Sequence, residues 1–331
     1  MAFLPNPYFD FLSMHPKYKY SKILFSGING PLGAALIEQV KNDERFRGFS
    51  SQECNLLDLN SVRRFFKDQI ASHNPSEFAY VHLAAKSGGI AFSKSYPATT
   101  FVDNLEMSMN VAKACQELGV KRILFTLSIS CYSDSLESPE ESQIHDGPVK
   151  SEDYGYAYAK RMQEVLMRTF NDQYGMQISS VLVNGIVGKR MSFAPGNSIL
   201  PASLIREFHK MKESKEAIDV VYDPRARREY TNSRDLSAAV IWCLHNQDEN
   251  TLLNIGNTQP YSVKDVATLI ASRMGIDTKR LNFIERNGAG RLQQSSSNRH
   301  FINSSGFKYR PLSEAIDDAV SWYLDEELSQ T

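Results

Sequence analysis

The chain has 331 residues, 42% apolar and 23% charged, ordinary globular composition with ample material for a large core and a second, smaller unit. Its net charge of −1, with both signs interspersed, excludes the basic footprint of a nucleic-acid binder, and no apolar run approaches the ~18 residues that would span a bilayer. The four cysteines, Cys54, Cys115, Cys131 and Cys243, contain no C-x-x-C pair, which argues against a structural zinc site or a disulfide framework and suits a reducing cytoplasm.

Residues 1–21 carry Phe3, Tyr8, Phe9, Phe11, Tyr18 and Tyr20 but are interrupted by Pro5, Pro7 and Pro16, so they read as an arm packed on the body or on a second subunit rather than a signal peptide. Lys22 to Ser26 then reads as a short buried strand. It runs directly into Gly27-Ile28-Asn29-Gly30-Pro31-Leu32-Gly33 and a helix over 34–41. Strand, glycine turn and helix in that order bring backbone close to a pyrophosphate and aim helix N–H groups at its charge. A dinucleotide site is therefore expected at Gly27, Asn29, Gly30, Leu32 and Gly33.

An NAD site usually places a carboxylate about 20 residues beyond the turn, on the ribose 2′-hydroxyl. Glu53 lies at that distance, but Phe49-Ser50-Ser51 reads as the end of the second strand, where Ser50, Ser51 and Arg47 suit a 2′-phosphate instead. The expected cofactor is thus NADP(H). Asn55 and Leu56 would line the adenine edge, with Asp58 either beside them or capping the helix that begins near Asn60.

Phe78 to Ala85 is an apolar strand whose end, Leu83-Ala84-Ala85, is small enough to pass close to a cofactor, while His82 within it reads as a core histidine. Lys86 to Ile90 reads as a mobile loop, followed by a helix over 96–118 that carries Asn104. The buried strand Lys121 to Leu127 then delivers Ser128, Ser130 and Cys131 at its C-terminal end, where open α/β sheets hold their ligands. Residues 137–153 are polar and read as a surface loop over the site.

Tyr156 and Lys160, four apart at the head of a helix, share a face. A neighbouring ammonium favours phenolate, so Lys160 is expected to lower the Tyr156 pKa toward the range useful for general acid–base work. A strand over 178–184 follows. Beyond it the elements shorten and the Arg and aromatic content rises, through Arg190, Arg206, Tyr222, Arg225, Arg227, Arg228 and Tyr230. Leu252 to Gly256 reads as a last strand of the sheet, and Ser262 as the N-cap of the next helix.

With the glycine turn, Ser128 and Tyr156/Lys160 in order, the chain resembles the extended short-chain dehydrogenase/reductases that act on nucleotide sugars, and within them the GDP-L-fucose synthase group. The segments carrying the resemblance are His82 to Ile90, Ile144-His145-Asp146-Gly147-Pro148 and Gly155 to Met162, and the similarity runs from about Lys22 to Leu324. The resemblance implies an α/β fold: a Rossmann-type doubly wound parallel sheet at 22–183 and a smaller C-terminal α/β substrate domain over 184–331, with a sheet segment returning near 235–256. It also implies a homodimer. By that resemblance Ser128 and Tyr156 would bind the C4 carbonyl of a GDP-4-keto-6-deoxy-sugar, Tyr156 would give the proton, and Lys160 would hold the nicotinamide ribose. Asn184, Ile199, Arg206, Tyr222 and Arg228 would contact the nucleotide diphosphate, as would Arg291. Guanidinium forks and aromatic faces suit pyrophosphate and base.

Two positions depart from the pattern. Where the group has a cysteine and a histidine as its C3/C5 epimerase acid/base pair, this chain has Ser130 and Ser198. Serine hydroxyls are far too weakly acidic to exchange protons α to a ketone unaided. A 4-keto reductase with its epimerase half lost or altered is the expectation; Cys131, displaced by one residue, could substitute only if the strand end is bulged. A nucleotide-sugar 4-epimerase or dehydratase with bound NAD, and a noncatalytic dinucleotide-binding partner protein, are the alternative readings. No metal is expected.

Overall fold

The apolar triplet Ile23-Leu24-Phe25 forms most of strand β1 (Lys22–Phe25), and its neighbours face opposite ways: Leu24 enters one core cluster, Ile23 and Phe25 another. The same division separates Leu124 from Phe125 and Val181 from Leu182. A sheet buried on both faces requires this continuous apolarity. The structure is a computed structural model that describes residues 19–71, 73–149, 151–286 and 293–330. The expected N-terminal arm and Arg291 lie outside the described residues, apart from the arm's last three positions.

Six parallel strands form the central sheet in the order β2 (Phe46–Gly48), β1, β3 (Phe78–His82), β4 (Arg122–Ser128), β5 (Gln177–Val183) and β9 (Leu252–Asn254). Helices α2 (Leu59–Ile70), α4 (Pro97–Glu117) and α5 (Tyr154–Tyr174) cover one face, around Phe66, Phe125 and Met167. The other face is covered by α1 (Pro31–Val40), α7 (Ser233–Asn246) and α9 (Arg299–Ser305), around Leu36, Leu236 and Phe301. A short helix, α3 (Ile90–Ser95), stands where the sequence suggested a loop running on to the long helix.

A third cluster belongs to the region after Val183. It joins α6 (Leu200–Lys210), α8 (Val263–Arg273) and α10 (Leu312–Gln330) to short strands. Strand β8 (Arg227–Asn232) is the hub, pairing with β6 (Gly185–Val187), β10 (Pro260–Ser262) and β12 (Gln293–Gln294), while β7 (Ile218–Tyr222) pairs with β11 (Leu281–Glu285). The Ser262 cap is present as a capping box with Asp265. A buried ion pair fastens this region to the sheet layers: Arg310 donates to both carboxylate oxygens of Asp235, each at 2.7 Å. No helix among the described residues is long and apolar enough to cross a membrane, and no cluster of three or more potential metal ligands occurs among them.

Candidate active site

The glycine turn is shaped by what a Cβ would hit. At Gly27, with φ +77°, it would come 2.8 Å from the Ala84 nitrogen and 2.9 Å from the Leu83 oxygen; at Gly33 it would overlap the Gly27 carbonyl. At Gly30 the nearest atom is 3.7 Å away, so the turn's outer edge is open backbone. Two glycines thus allow strand and helix to close up and the third leaves room for a ligand's phosphates at a helix N-terminus with neither a side-chain cap nor an acidic first turn. These residues fit a dinucleotide. Ser26 locks the arrangement, its hydroxyl accepting from the Ala84 N–H at 3.2 Å and the Tyr80 hydroxyl at 2.8 Å. Ala85 is exposed beyond them, and Asn104 pins the next residue through two bonds to the Lys86 backbone.

At the neighbouring strand end the details differ from expectation. Strand β2 closes at Gly48, and Ser50 heads a short turn in which the Glu53 carboxylate accepts from the Ser50 N–H at 2.9 Å and from its hydroxyl. Arg47 pairs with the same carboxylate. Glu53 thus serves as a local cap, and Arg47 pairs with it at the surface, 44% exposed. Asn55 caps the Leu57 N–H, the Leu56 carbonyl accepts from Asn110, and Asp58 caps α2 through Asn60.

Ser128, Tyr156 and Lys160, the residues expected to carry the chemistry, are brought together at the end of β4 and the first turns of α5. Ser128 closes β4, and its hydroxyl accepts from the Ser130 N–H at 3.2 Å, forming a single 3₁₀ turn over Ile129–Cys131. Arg161 holds this turn against the helix by donating to the Cys131 and Gly147 carbonyls. Adjacent to Lys160 in sequence, Arg161 carried no signal of that positioning role. Lys160 is only 1% exposed; its ammonium donates to the Thr126 carbonyl at 2.8 Å and lies 5.9 Å from the centre of the Tyr156 ring.

Burial dominates the electrostatics. It holds the Tyr156 phenol well above the ordinary tyrosine range, aided by Cys131 and Asp153, while a hydrogen bond with the Ser128 side chain pulls the other way. The expected lowering by Lys160 is thus overturned in direction: the phenolate's desolvation cost prevails over a cation placed over the ring and bonded to a carbonyl. Lys160 is itself pulled down to about 8 by burial. Tyr156 is therefore a fully protonated donor at neutral pH.

The two serines at the departing positions remain serines in ordinary surroundings. Ser130 is half-buried on the 3₁₀ turn, and the Ser198 hydroxyl is 2.8 Å from that of Ser203, with no titratable group bonded to either among the described residues. Cys131 is fully buried, and burial pushes its thiol up to about 12. The strand end is not bulged to present it; the turn sends it into the core cluster.

Of the residues expected on the nucleotide diphosphate, Asn184 is consumed internally: its amide donates to Glu229 and the Asn257 carbonyl and accepts from Thr231, which joins β5 to β8. Ile199 is the N-cap of α6. Arg206 donates to the Phe193 carbonyl at 2.7 Å and to Glu207, Tyr222 to Glu285 at 3.3 Å, and Arg228 to the Arg227 carbonyl. The loop over 137–153 is more embedded than its polarity suggested, with Ile144 in the core and the Glu141 carboxylate accepting from the Asn254 N–H at 2.8 Å. A cavity of about 490 Å³ is lined by Asn29 of the glycine turn, expected at the cofactor, together with Arg190, Met191, Phe193, Trp322, Tyr323 and Glu326.

Comparison with known proteins adds independent information. The family model described as NAD dependent epimerase/dehydratase family matches residues 23–256. A GDP-L-fucose synthase of Dictyostelium discoideum is 27% identical over 312 residues, covering 92% of this chain and 95% of its own. Among solved structures, a GDP-L-fucose synthetase from Naegleria fowleri bound to NADP superposes with a TM-score of 0.83 at 24% identity, covering 95% of each chain. A GDP-6-OMe-4-keto-L-xylo-heptose reductase from Campylobacter jejuni gives 0.80 at 23% identity, covering 94% of this chain and 99% of that one. These superpositions establish the shared Rossmann-type fold.

Proposed function

The chain belongs to the NAD dependent epimerase/dehydratase family, and from that premise we propose that it is an NADP(H)-dependent oxidoreductase that reduces the C4 ketone of a GDP-4-keto-6-deoxy-sugar without epimerising C3 and C5. One observation carries the reading: Ser128, Tyr156 and Lys160 are held together with the phenol protonated, while the two epimerase positions carry Ser130 and Ser198. The similarity to GDP-L-fucose synthases and to a GDP-keto-heptose reductase supports the GDP-sugar class, and the NADP-bound relative supports the cofactor.

Gly27, Gly30 and Gly33 with Leu83 and Ala84 would hold the dinucleotide, whose nicotinamide supplies hydride to the ketone carbon when bound. Ser128 and Tyr156 would both donate hydrogen bonds to the ketone oxygen, and Tyr156 transfers its proton as charge grows there. Lys160, charged below pH ~8, stabilises the phenolate left behind. Arg206, Tyr222 and Arg228 remain the proposed contacts for the nucleotide diphosphate. Asn184 acts on that site only by bracing β8. Exposed Phe101, Val102 and Met109 on α4, with Tyr154, Val165 and Tyr174 on the adjoining α5, support a homodimer. Four free, buried thiols are in keeping with a cytoplasmic location.

The test is NADPH consumption with GDP-4-keto-6-deoxymannose, the sugar product being identified by NMR. A 6-deoxy sugar of unchanged C3 and C5 configuration is expected. Formation of GDP-L-fucose would refute the reductase-only reading, and absence of turnover despite NADPH binding would refute this sugar as substrate.

A further inference from the structure

The loop after β6 carries two successive cations whose situations differ. Gly188 is pressed against Ser233, and Lys189 donates to Glu38 of α1 at 2.8 Å, so the loop is anchored to the helix that the glycine turn begins. Arg190 follows with φ +57°, a left-handed conformation that costs a side-chain-bearing residue free energy and that its surroundings must enforce. Its guanidinium, on an exposed residue, stacks on the Trp322 ring, 5.2 Å from the centre. Glu326 lines the same cavity without pairing to it.

The cavity that Arg190 lines is also lined by Asn29 of the glycine turn. Its lining therefore joins the residue just before an uncapped helix N-terminus to a planar, doubly donating cation resting on an indole. That pairing matches a phosphate group, which accepts from backbone N–H donors and from a guanidinium fork at once.

We propose that Arg190 is a phosphate-binding residue of the dinucleotide site, moving from the Trp322 face onto a phosphate of the cofactor held at the glycine turn. The inference rests on the dinucleotide reading of that turn. It assigns to the loop after β6 a binding role that the chain's order in sequence conceals.

Calorimetric titration of the full chain with NADPH and with NADH tests it in wild type, Arg190→Met, Arg190→Gln and Arg190→Lys, with thermal melts to establish folding. Loss of a charge-assisted hydrogen bond to phosphate should weaken NADPH binding by about ten-fold or more in the Met and Gln variants and by less in the Lys variant. If only NADPH is affected, the phosphate is the ribose 2′-phosphate; if both weaken alike, it is the diphosphate, and either result supports the assignment. NADPH should also change the tryptophan emission of wild type, and Trp322→Phe should remove that change. Folded Met and Gln variants that bind both dinucleotides with wild-type affinity would overturn the role of Arg190 while leaving the glycine turn's role intact. A wild-type chain that binds neither would overturn the dinucleotide reading itself and this inference with it.

Discussion

Tyr156 and Lys160 show how far residue types and spacing carry. Their shared helical face was legible because an i, i+4 pair must meet, and Ser128 because a buried strand delivers its last residue to the sheet's ligand edge. Their electrostatics were not legible, since the burial that raises Tyr156 and lowers Lys160 comes from segments distant in sequence. Tyr156→Phe should reduce ketone reduction by roughly 10²–10⁴-fold, the usual worth of a general acid, with NADPH affinity unchanged in calorimetry. The pH profile has a definite sign. Lys160, depressed to about 8 in the folded chain, is charged below that pH and neutral above it, so kcat/KM for reduction should fall as pH rises through about 8. Lys160→Arg, which keeps its charge, should move that descending limb to higher pH in whatever activity it retains; an unmoved limb would assign the titration to another group.

At the scale of elements, the first half of the chain could be read because each strand is a single apolar run and each parallel neighbour is separated by a helix. After Val183 the last sheet strand and the Ser262 cap could be read, but the pairing of the other strands could not. Those strands are short, and β8 takes partners from before it and from far beyond it, Gly185 opposite Tyr230 and Tyr261 opposite Arg228. Periodicity carries no record of such pairing. Arg190 and Trp322 meet only because α10 returns across the loop after β6. The glycine turn permits a sharp expectation: Gly33→Ala drives a methyl into the Gly27 carbonyl, so the turn must open. Dinucleotide binding should be lost in titration, together with about 1–3 kcal/mol of stability in urea melts, the usual cost of overpacking. Asp235→Ala should cost about 3 kcal/mol by the same melts, because it strips the buried Arg310 guanidinium of its closer carboxylate and leaves it the more exposed Glu314 at 3.5 Å. A loss below about 1 kcal/mol would show that water reaches the site.

Across the whole molecule, a sheet that carries the proposed reduction residues is joined to a second region that bears most of the proposed nucleotide contacts, and each carries one of the two departures from the resembling enzymes. Ser130 sits on the turn after β4, and Ser198 just ahead of α6. Among the described residues no titratable group is hydrogen-bonded to either hydroxyl, and Cys131 is sealed in the core with its thiol raised to about 12. Reduction and epimerisation should therefore be separable in this protein, the first present and the second absent. The most direct measurement is incubation of GDP-4-keto-6-deoxymannose with the enzyme and NADPH in D2O, followed by NMR of the reduced sugar. The expected product carries no deuterium at C3 or C5; rapid incorporation at both carbons would contradict a reductase that has lost its epimerase half.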